Sequence, residues 1–291
     1  MRRLDEKTRK TIRGFQKNEI TEFFVYKALA RMTRDEKNRS LLDRNAHEEM
    51  RHYHIWHNYS GRKVGPDHIR RWFYIIVSAL FGVTFGIKLM EGKENDAQEA
   101  YGDLKDVVPE AAEIQREETD HENRLIAMID EERLKYMGSM VLGLNDALVE
   151  FTGALAGFTF ALQNSRLIAL TGLIMGFSAS LSMAASEYLS TKTESDGKNP
   201  LRASFYTGIA YGFTVIFLVL PYFLFCNYYV SLSATLGFAV LLIAIFTFYV
   251  AVVKEIPFRG RFLEMFLISM GVACVSFLIG LGVRSLLHVD I

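Results

Sequence analysis

Five apolar runs in the second half of the chain constrain its fold more than any other feature. Each reaches the length of about 20 residues that a membrane-spanning helix needs. Because lipid offers no partners to backbone polar groups, a run of this kind satisfies them within a helix. The runs are Tyr136–Leu162, Leu167–Leu189, Ala203–Cys226, Leu232–Val253 and Phe262–Leu287. We therefore predict five transmembrane helices.

The distribution of charge separates this half from the preceding one. Of the 33 basic and 33 acidic residues, 25 of each lie before residue 136. We predict an all-α protein with a soluble domain over residues 1–135 and an integral membrane domain over residues 136–291.

Composition excludes several classes of partner and site. No basic patch is large enough to indicate nucleic acid. The first residues, MRRLDEKTRKTIRGF, are charged and have no apolar core, so we expect no secretory signal peptide. The two cysteines, Cys226 and Cys274, lie in apolar runs, which leaves no cysteine set for a disulfide framework or a metal cluster.

Basic residues in the connections predict the orientation of the membrane domain. Two alternate connections carry clustered basic charge, and basic loops stay cytoplasmic. These residues are Lys192, Lys198 and Arg202, and Lys254, Arg259 and Arg261. Parity then places the N-terminal domain in the cytoplasm and the C-terminus on the opposite side. We expect an integral protein of a prokaryotic plasma membrane.

Two short metal-ligand motifs occur in the charged half. Glu49 and His52 form one Glu-x-x-His pair, and Glu118 and His121 form a second. Residues three apart lie on one face of a helix, so both side chains of a pair can reach one ion. Because the motif is short, the pairs alone also fit a solvated helical bundle with surface charges.

An acidic segment precedes each pair at the same distance. The interval from Glu22 to Glu49 is 27 residues, and so is the interval from Glu91 to Glu118. The half therefore contains a duplicated pattern, in which a carboxylate helix is followed by a Glu-x-x-His helix. The acidic segments hold Glu19 with Glu22, and Glu91 with Glu94.

This order is that of a di-iron carboxylate bundle. In such a bundle two helices each give a glutamate and two each give Glu-x-x-His, all pointing inward. Oxygen and imidazole donors suit Fe(II), and also Mn(II) or Zn(II). Helical periodicity predicts four helices here, near residues 5–33, 35–59, 69–98 and 103–134. With these motifs, residues 1–135 resemble a rubrerythrin-type ferritin-like domain.

The resemblance implies a ligand set for a di-iron centre. Its members are Glu19, Glu49, His52, Glu91, Glu94, Glu118 and His121. Glu22 competes with Glu19 for the first position, and spacing does not separate them. His47, His54 and His57 fall outside the Glu-x-x-His register, so we interpret them as surface or supporting residues.

The segment Trp72–Ile87 is a sixth apolar stretch of 16 residues. If it crossed the membrane, the two Glu-x-x-His pairs would lie on opposite sides and no four-helix site would close. We therefore predict that it does not cross. It is expected to be buried in a dimer or to lie against the membrane half.

Ionisable residues in the first two apolar runs indicate a path for a cation. Asp146 and Glu150 are four residues apart and share a helix face, as do Met183 and Glu187 in the next run. A charge at membrane depth is costly and usually serves a function.

Two segments of these runs resemble the vacuolar iron transporter family. They are GLNDALVEFTGALAGF in the first run and SMAASEYLSTKTE in the second. The resemblance implies a homodimer that moves Fe(II), and often Mn(II), out of the cytosol. It makes Asp146 the membrane metal site and Met183 its soft partner, with Glu150 and Glu187 near the pore or its cytosolic mouth.

The leading functional hypothesis is a membrane exporter of Fe(II), or also of Mn(II), with a cytosolic di-iron domain that captures, oxidises or senses iron. The fusion of the two domains resembles membrane-bound ferritins. The alternative is a membrane-anchored ferroxidase or peroxide-scavenging enzyme. The four cysteines of the rubredoxin that usually accompanies rubrerythrin are absent from the sequence, which counts against peroxide turnover.

Overall fold

A computed structural model describes residues 5–91, 107–127, 136–194 and 197–287 of the chain. Within these ranges every regular element is a helix and none is a strand, in agreement with the predicted all-α class. Two compact units are formed, one by residues 1–131 with 252–255 and the other by residues 132–251 with 256–291.

The described part of the N-terminal unit contains five helices. They are α1 (Glu6–Met32), α2 (Glu36–Ser60), α3 (His68–Phe81), α4 (Val83–Glu91) and α5 (Ala111–Ala127). The first two agree with the predicted helices. Helix α5 lies within the helix predicted near 103–134 but begins only at Ala111, because residues 107–110 are not helical. Residues 103–106 and 128–134 lie outside the described residues. A ferritin-like four-helix bundle therefore stays a prediction.

Local sequence signals fix the ends of α1 and α2. The carboxylate of Asp5 accepts a hydrogen bond from the Thr8 amide at 2.8 Å, and Asp35 accepts one from Asn38 at the same distance. These N-caps satisfy amides that the first helical turn leaves free. Gly61 ends α2 with a φ of 64°, a left-handed conformation that costs glycine little.

An aromatic contact forms the centre of the core between α1 and α2. The rings of Phe15 and Trp56 lie 5.3 Å apart, and Trp56 is fully buried. Val108, three residues before α5, and Ala111 and Ile114 in its first turn complete the same apolar cluster. This packing brings three helices together next to the residues of the predicted metal site.

The single helix predicted near residues 69–98 is wrong, because the chain breaks between α3 and α4. Gly82 has a φ of 104°, which favours glycine. Gly86 then lies directly against the Ser78 side chain, where any larger residue would overlap the hydroxyl. Two glycines four residues apart therefore allow a tight bend that hydrophobic periodicity does not reveal.

The stretch Trp72–Ile87 includes this break and is not among the membrane-capable helices of the described chain. Helix α3 exposes an apolar face within the chain. Its members are Ile69, Trp72, Phe73, Ile76 and Leu80. Burial of this face in a dimer or against the membrane half stays a prediction.

Five helices of the second unit are long and apolar enough to span a membrane, as predicted. They are α6 (Met137–Leu162), α7 (Ser165–Thr193), α8 (Pro200–Leu224), α9 (Tyr228–Lys254) and α10 (Phe258–Leu287). Helix α6 contains one π-helical turn, Ala147–Phe151, between two α-helical segments.

Small residues allow close approach of the membrane helices. A methyl group added at Gly176 of α7 would overlap the Val215 side chain of α8. One added at Gly280 of α10 would lie 2.5 Å from the carbonyl oxygen of Gly157 in α6. Backbones that touch in this way gain van der Waals contact, which replaces the hydrophobic driving force that lipid removes.

Candidate metal centre and membrane carboxylates

Five buried side chains from three helices meet in the N-terminal unit. Glu19 comes from α1, Glu49 and His52 come from α2, and Glu118 comes from α5. One ligand atom from each of these four lies within 4.8 Å of the others. His121 of α5 adjoins them, with its Nδ1 atom 3.2 Å from Glu49 Oε1. We refer to these five side chains as the buried cluster.

The buried cluster leaves five polar atoms without a hydrogen-bond partner among the residues that the structure describes. They are Glu19 Oε2, Glu49 Oε2, His52 Nδ1, Glu118 Oε1 and His121 Nδ1. His52 Nδ1 lies only 2.8 Å from Glu118 Oε1, yet this pair lacks hydrogen-bond geometry. Buried polar groups normally have partners. Converging oxygen and nitrogen atoms without such partners fit a shared transition-metal ion.

The two imidazoles of the cluster are arranged in parallel. The rings of His52 and His121 stack with centroids 5.8 Å apart and an interplanar angle of 23°. Each ring turns Nδ1 towards the cluster and Nε2 away from it. Glu117 Oε2 lies 2.8 Å from His52 Nε2, and Glu48 accepts from His121 Nε2.

Glu48 and Glu117 are absent from the predicted ligand set. Each immediately precedes a glutamate of the cluster, so both motifs read Glu-Glu-x-x-His. This doubled glutamate is the sequence feature that could have drawn attention to Glu48 and Glu117. Only the packing of α2 near α5 shows that the first glutamate of each motif contacts the histidine of the other.

Between the two candidates on α1, the structure places Glu19 in the cluster. Glu19 is 2% exposed, and Trp56 Nε1 donates a hydrogen bond of 2.9 Å to its Oε1 atom. Glu22 is partly exposed and does not belong to the group. A donor on one carboxylate oxygen orients the other towards the cluster.

The remaining predicted residues of this half fall into two groups. Glu94 and the side chain of Glu91 lie outside the described residues. His47 and His54 are exposed, and His57 is only partly buried; none of the three belongs to the cluster. Their interpretation as surface or supporting residues stays a prediction.

Burial and the charges of neighbouring side chains have opposite effects on the pKa values of the cluster residues. Burial lowers the pKa of an imidazole, but the carboxylates of Glu118 and Glu49 outweigh it and raise the pKa of His121 to about 10. The pKa of His52 is raised by the same balance. Burial raises the pKa of Glu19, whereas the two histidines lower the pKa of Glu49 in spite of its burial. Protons and a metal cation are therefore alternative ways of neutralising these carboxylates.

A second group of acids lies on the first membrane helix. Asp146 precedes the π-helical turn of α6, and Glu150 belongs to it. The Tyr211 hydroxyl of α8 donates a bond of 3.4 Å to Glu150 Oε2. Such π-helical turns occur frequently at functional sites, because the extra residue displaces side chains from the regular helical faces.

Glu187 contacts the start of α6 rather than its acidic turn. Glu187 accepts a hydrogen bond of 2.5 Å from Ser139, near the start of α6. Seven residues separate Ser139 from Asp146, a rise of about 10 Å along a helix. Met183 packs against the apolar core of the membrane unit. This core includes Ala147 and Phe151 of the π-helical turn. The role of Met183 as a soft partner of Asp146, and that of Glu187 near the cytosolic mouth, stay predictions.

The fold and these sites define an integral membrane protein with a buried cluster of metal-type donors in its N-terminal unit. Residues 137–199 match the model of the VIT family. This region spans α6 and α7, which carry Asp146, Glu150, Met183 and Glu187, and it supports a VIT-type membrane domain. No curated protein and no solved structure matches the chain.

Proposed function

We propose that the chain is a homodimeric membrane transporter that exports Fe(II), with Mn(II) as the second candidate ion, from the cytosol. The observation that carries this proposal is the VIT-family match to the two helices that hold the membrane acids. The N-terminal unit lies on the cytosolic side and captures, oxidises or senses the metal. The basic connections after α7 and α9 support this orientation.

The acidic turn of α6 offers oxygen donors to a passing cation. Asn145 directly precedes Asp146 in the sequence, and Thr152 lies two residues after Glu150. Asn145 Oδ1 and Thr152 Oγ1 are both buried without a hydrogen-bond partner in the described chain. A cation offsets the cost of ionised carboxylates at membrane depth. Protonation of Asp146 or Glu150 at the far side favours release, because a neutral carboxyl group is a poor ligand.

An open groove beside Glu150 supports the proposed homodimer. It is lined mainly by side chains of α7, including Thr171, Met175, Ser178 and Ser182. Polar side chains on the surface of a membrane helix are favourable where another protein surface covers them. A second copy of the chain would cover this groove and enclose Glu150.

The buried cluster supports a metal centre in the N-terminal unit. Its unpartnered atoms offer ligands for one ion from Glu19, Glu49, His52 and Glu118, and His121 Nδ1 lies beside this group. A second ion of a di-iron centre would require Glu91 and Glu94 as well. Bound iron supplies one-electron redox chemistry, so oxidation of Fe(II) is the second function that this donor set favours.

Metal analysis of the full-length protein tests which ion it holds. Protein purified without added metal should contain iron, at up to two ions per chain. Manganese in its place would make the chain a manganese transporter, and absence of any bound transition metal would contradict a metal centre in the N-terminal unit.

Transport in proteoliposomes tests the function of the membrane unit. Fe(II) and Mn(II) should enter vesicles whose protein exposes its N-terminal unit to the outside, and Mg(II) should not. Fe(II) oxidation by O₂, followed in the same preparation, separates transport from ferroxidase activity. Oxidation without uptake would support the membrane-anchored enzyme and overturn the transporter.

A further inference from the structure

The two glutamates of each Glu-Glu-x-x-His motif contact different partners. Its second glutamate joins the buried cluster, whereas its first glutamate reaches the histidine of the other motif. Glu48 of α2 accepts from His121 of α5, and Glu117 of α5 accepts from His52 of α2 at 2.8 Å. Two reciprocal bonds therefore link α2 to α5 around the cluster.

These bonds determine which nitrogen of each imidazole faces the cluster. A carboxylate only accepts hydrogen bonds, so the Nε2 atom of its partner must carry the hydrogen. In a neutral imidazole the lone pair is then left on Nδ1. Nδ1 is the buried, unpartnered atom in both His52 and His121. The carboxylates therefore hold each ring in the tautomer that a metal ion needs.

Arginines surround the outer side of both carboxylates. Arg44 Nε lies 3.0 Å from Glu48 Oε1, and Arg124 Nη2 lies 3.1 Å from Glu48 Oε2. Arg51 pairs in the same way with Glu117. With arginine on one side and histidine on the other, Glu48 and Glu117 are fixed in place, although each is about one quarter exposed.

We propose that Glu48 and Glu117 are crossed positioning residues, each of which orients the histidine of the opposite motif for metal binding. This inference rests on the proposed metal centre of the N-terminal unit. It assigns neither glutamate to the metal itself. It predicts that the ligands contributed by α2 depend on a residue of α5, and those contributed by α5 on a residue of α2.

Titration of the full-length protein with Co(II) in detergent tests this inference. Trp56 provides a local signal, since it donates to Glu19 of the cluster, and replacing the half-exposed Trp72 with phenylalanine removes the other tryptophan. Glu48→Ala and Glu117→Ala should each weaken Co(II) binding by about 10–100-fold. Glutamine at either position should lose less, because its amide oxygen still accepts from Nε2.

Glu113→Ala is the matched control, since Glu113 is an exposed glutamate on the same helix as Glu117. It should bind Co(II) like the parent protein. Circular dichroism before titration identifies any alanine variant that fails to fold, and the glutamine variant then takes its place. Parent-like affinity in folded variants of Glu48 and Glu117 would overturn the inference.

A crossed pair of double-mutant comparisons separates positioning from a purely structural role. Glu48→Ala should cost little further affinity in a His121→Ala protein, but its full effect should persist in a His52→Ala protein. The reverse should hold for Glu117→Ala. Equal losses in both backgrounds would overturn the crossed assignment. If the parent protein does not bind Co(II) near Trp56, the metal centre itself fails, and this inference fails with it.

Discussion

The buried cluster of the N-terminal unit and the acidic turn of α6 use the same kind of ligand in different surroundings. Glu19, Glu49 and Glu118 are almost fully buried, with two histidines and fixed supporting bonds around them. Asp146 and Glu150 have few fixed partners and lie at a π-helical turn, where Glu150 borders an open groove. A closed, preorganised donor set favours retention of an ion, whereas an open pair of acids favours its passage.

The largest effect is expected from a substitution at Asp146, which should stop transport by the membrane unit and leave metal binding in the N-terminal unit intact. Asp146→Ala should reduce Fe(II) transport in proteoliposomes to the level of protein-free vesicles, because the proposed membrane path loses a carboxylate ligand. Metal bound in the N-terminal unit should remain, as measured by elemental analysis. Glu264→Ala, which removes an exposed acid paired with Arg261, is the control and should transport normally. Full transport by the Asp146 variant would disprove the path.

The second prediction concerns His52 and metal binding in the N-terminal unit. His52→Ala should weaken metal binding in the N-terminal unit by about 100-fold or more, because the variant loses a proposed ligand and the Nε2 donor to Glu117. Equilibrium dialysis with Co(II) measures the change. His47→Ala, at an exposed position outside the cluster, should leave affinity unchanged. Equal metal affinity in both variants would remove His52 from the centre.

A third prediction concerns the close packing that supports the membrane acids. Gly176→Ala should destabilise the membrane unit by about 2 kcal/mol, because the added methyl group overlaps Val215. A lower thermal unfolding midpoint in detergent would show this. Gly237→Ala is the control, since a methyl group there has open space around it. If both variants unfold at the same temperature, the helices approach less closely than described.

The smallest expected effect concerns the orientation of Glu19. Trp56→Phe should keep the packing against Phe15 but remove the hydrogen bond to Glu19, at a cost of about 1 kcal/mol. Metal affinity should fall a few-fold, as measured by Co(II) dialysis. Trp72→Phe, at an exposed position, should change neither property. A loss as large as that of His52→Ala would make Trp56 more than a support for Glu19.

The sequence by itself determined the all-α class, the five membrane-capable helices and the pairing of Glu49 with His52 and of Glu118 with His121. These features follow from local periodicity, because run length predicts a span and an interval of three residues predicts one helix face. The apolar pattern continues on both sides of the break at Gly82. Hydrophobic periodicity therefore predicts one continuous helix there.

Only the tertiary structure decided which glutamate of α1 faces the cluster and what the doubled glutamates contact. Glu19 and Glu22 are three residues apart, and helical spacing does not distinguish them until Trp56 of α2 packs against one. Glu48 and Glu117 bond across two helices that are distant in sequence. The physical reason is that periodicity fixes the face of each helix, whereas the partner of each side chain depends on how those helices pack.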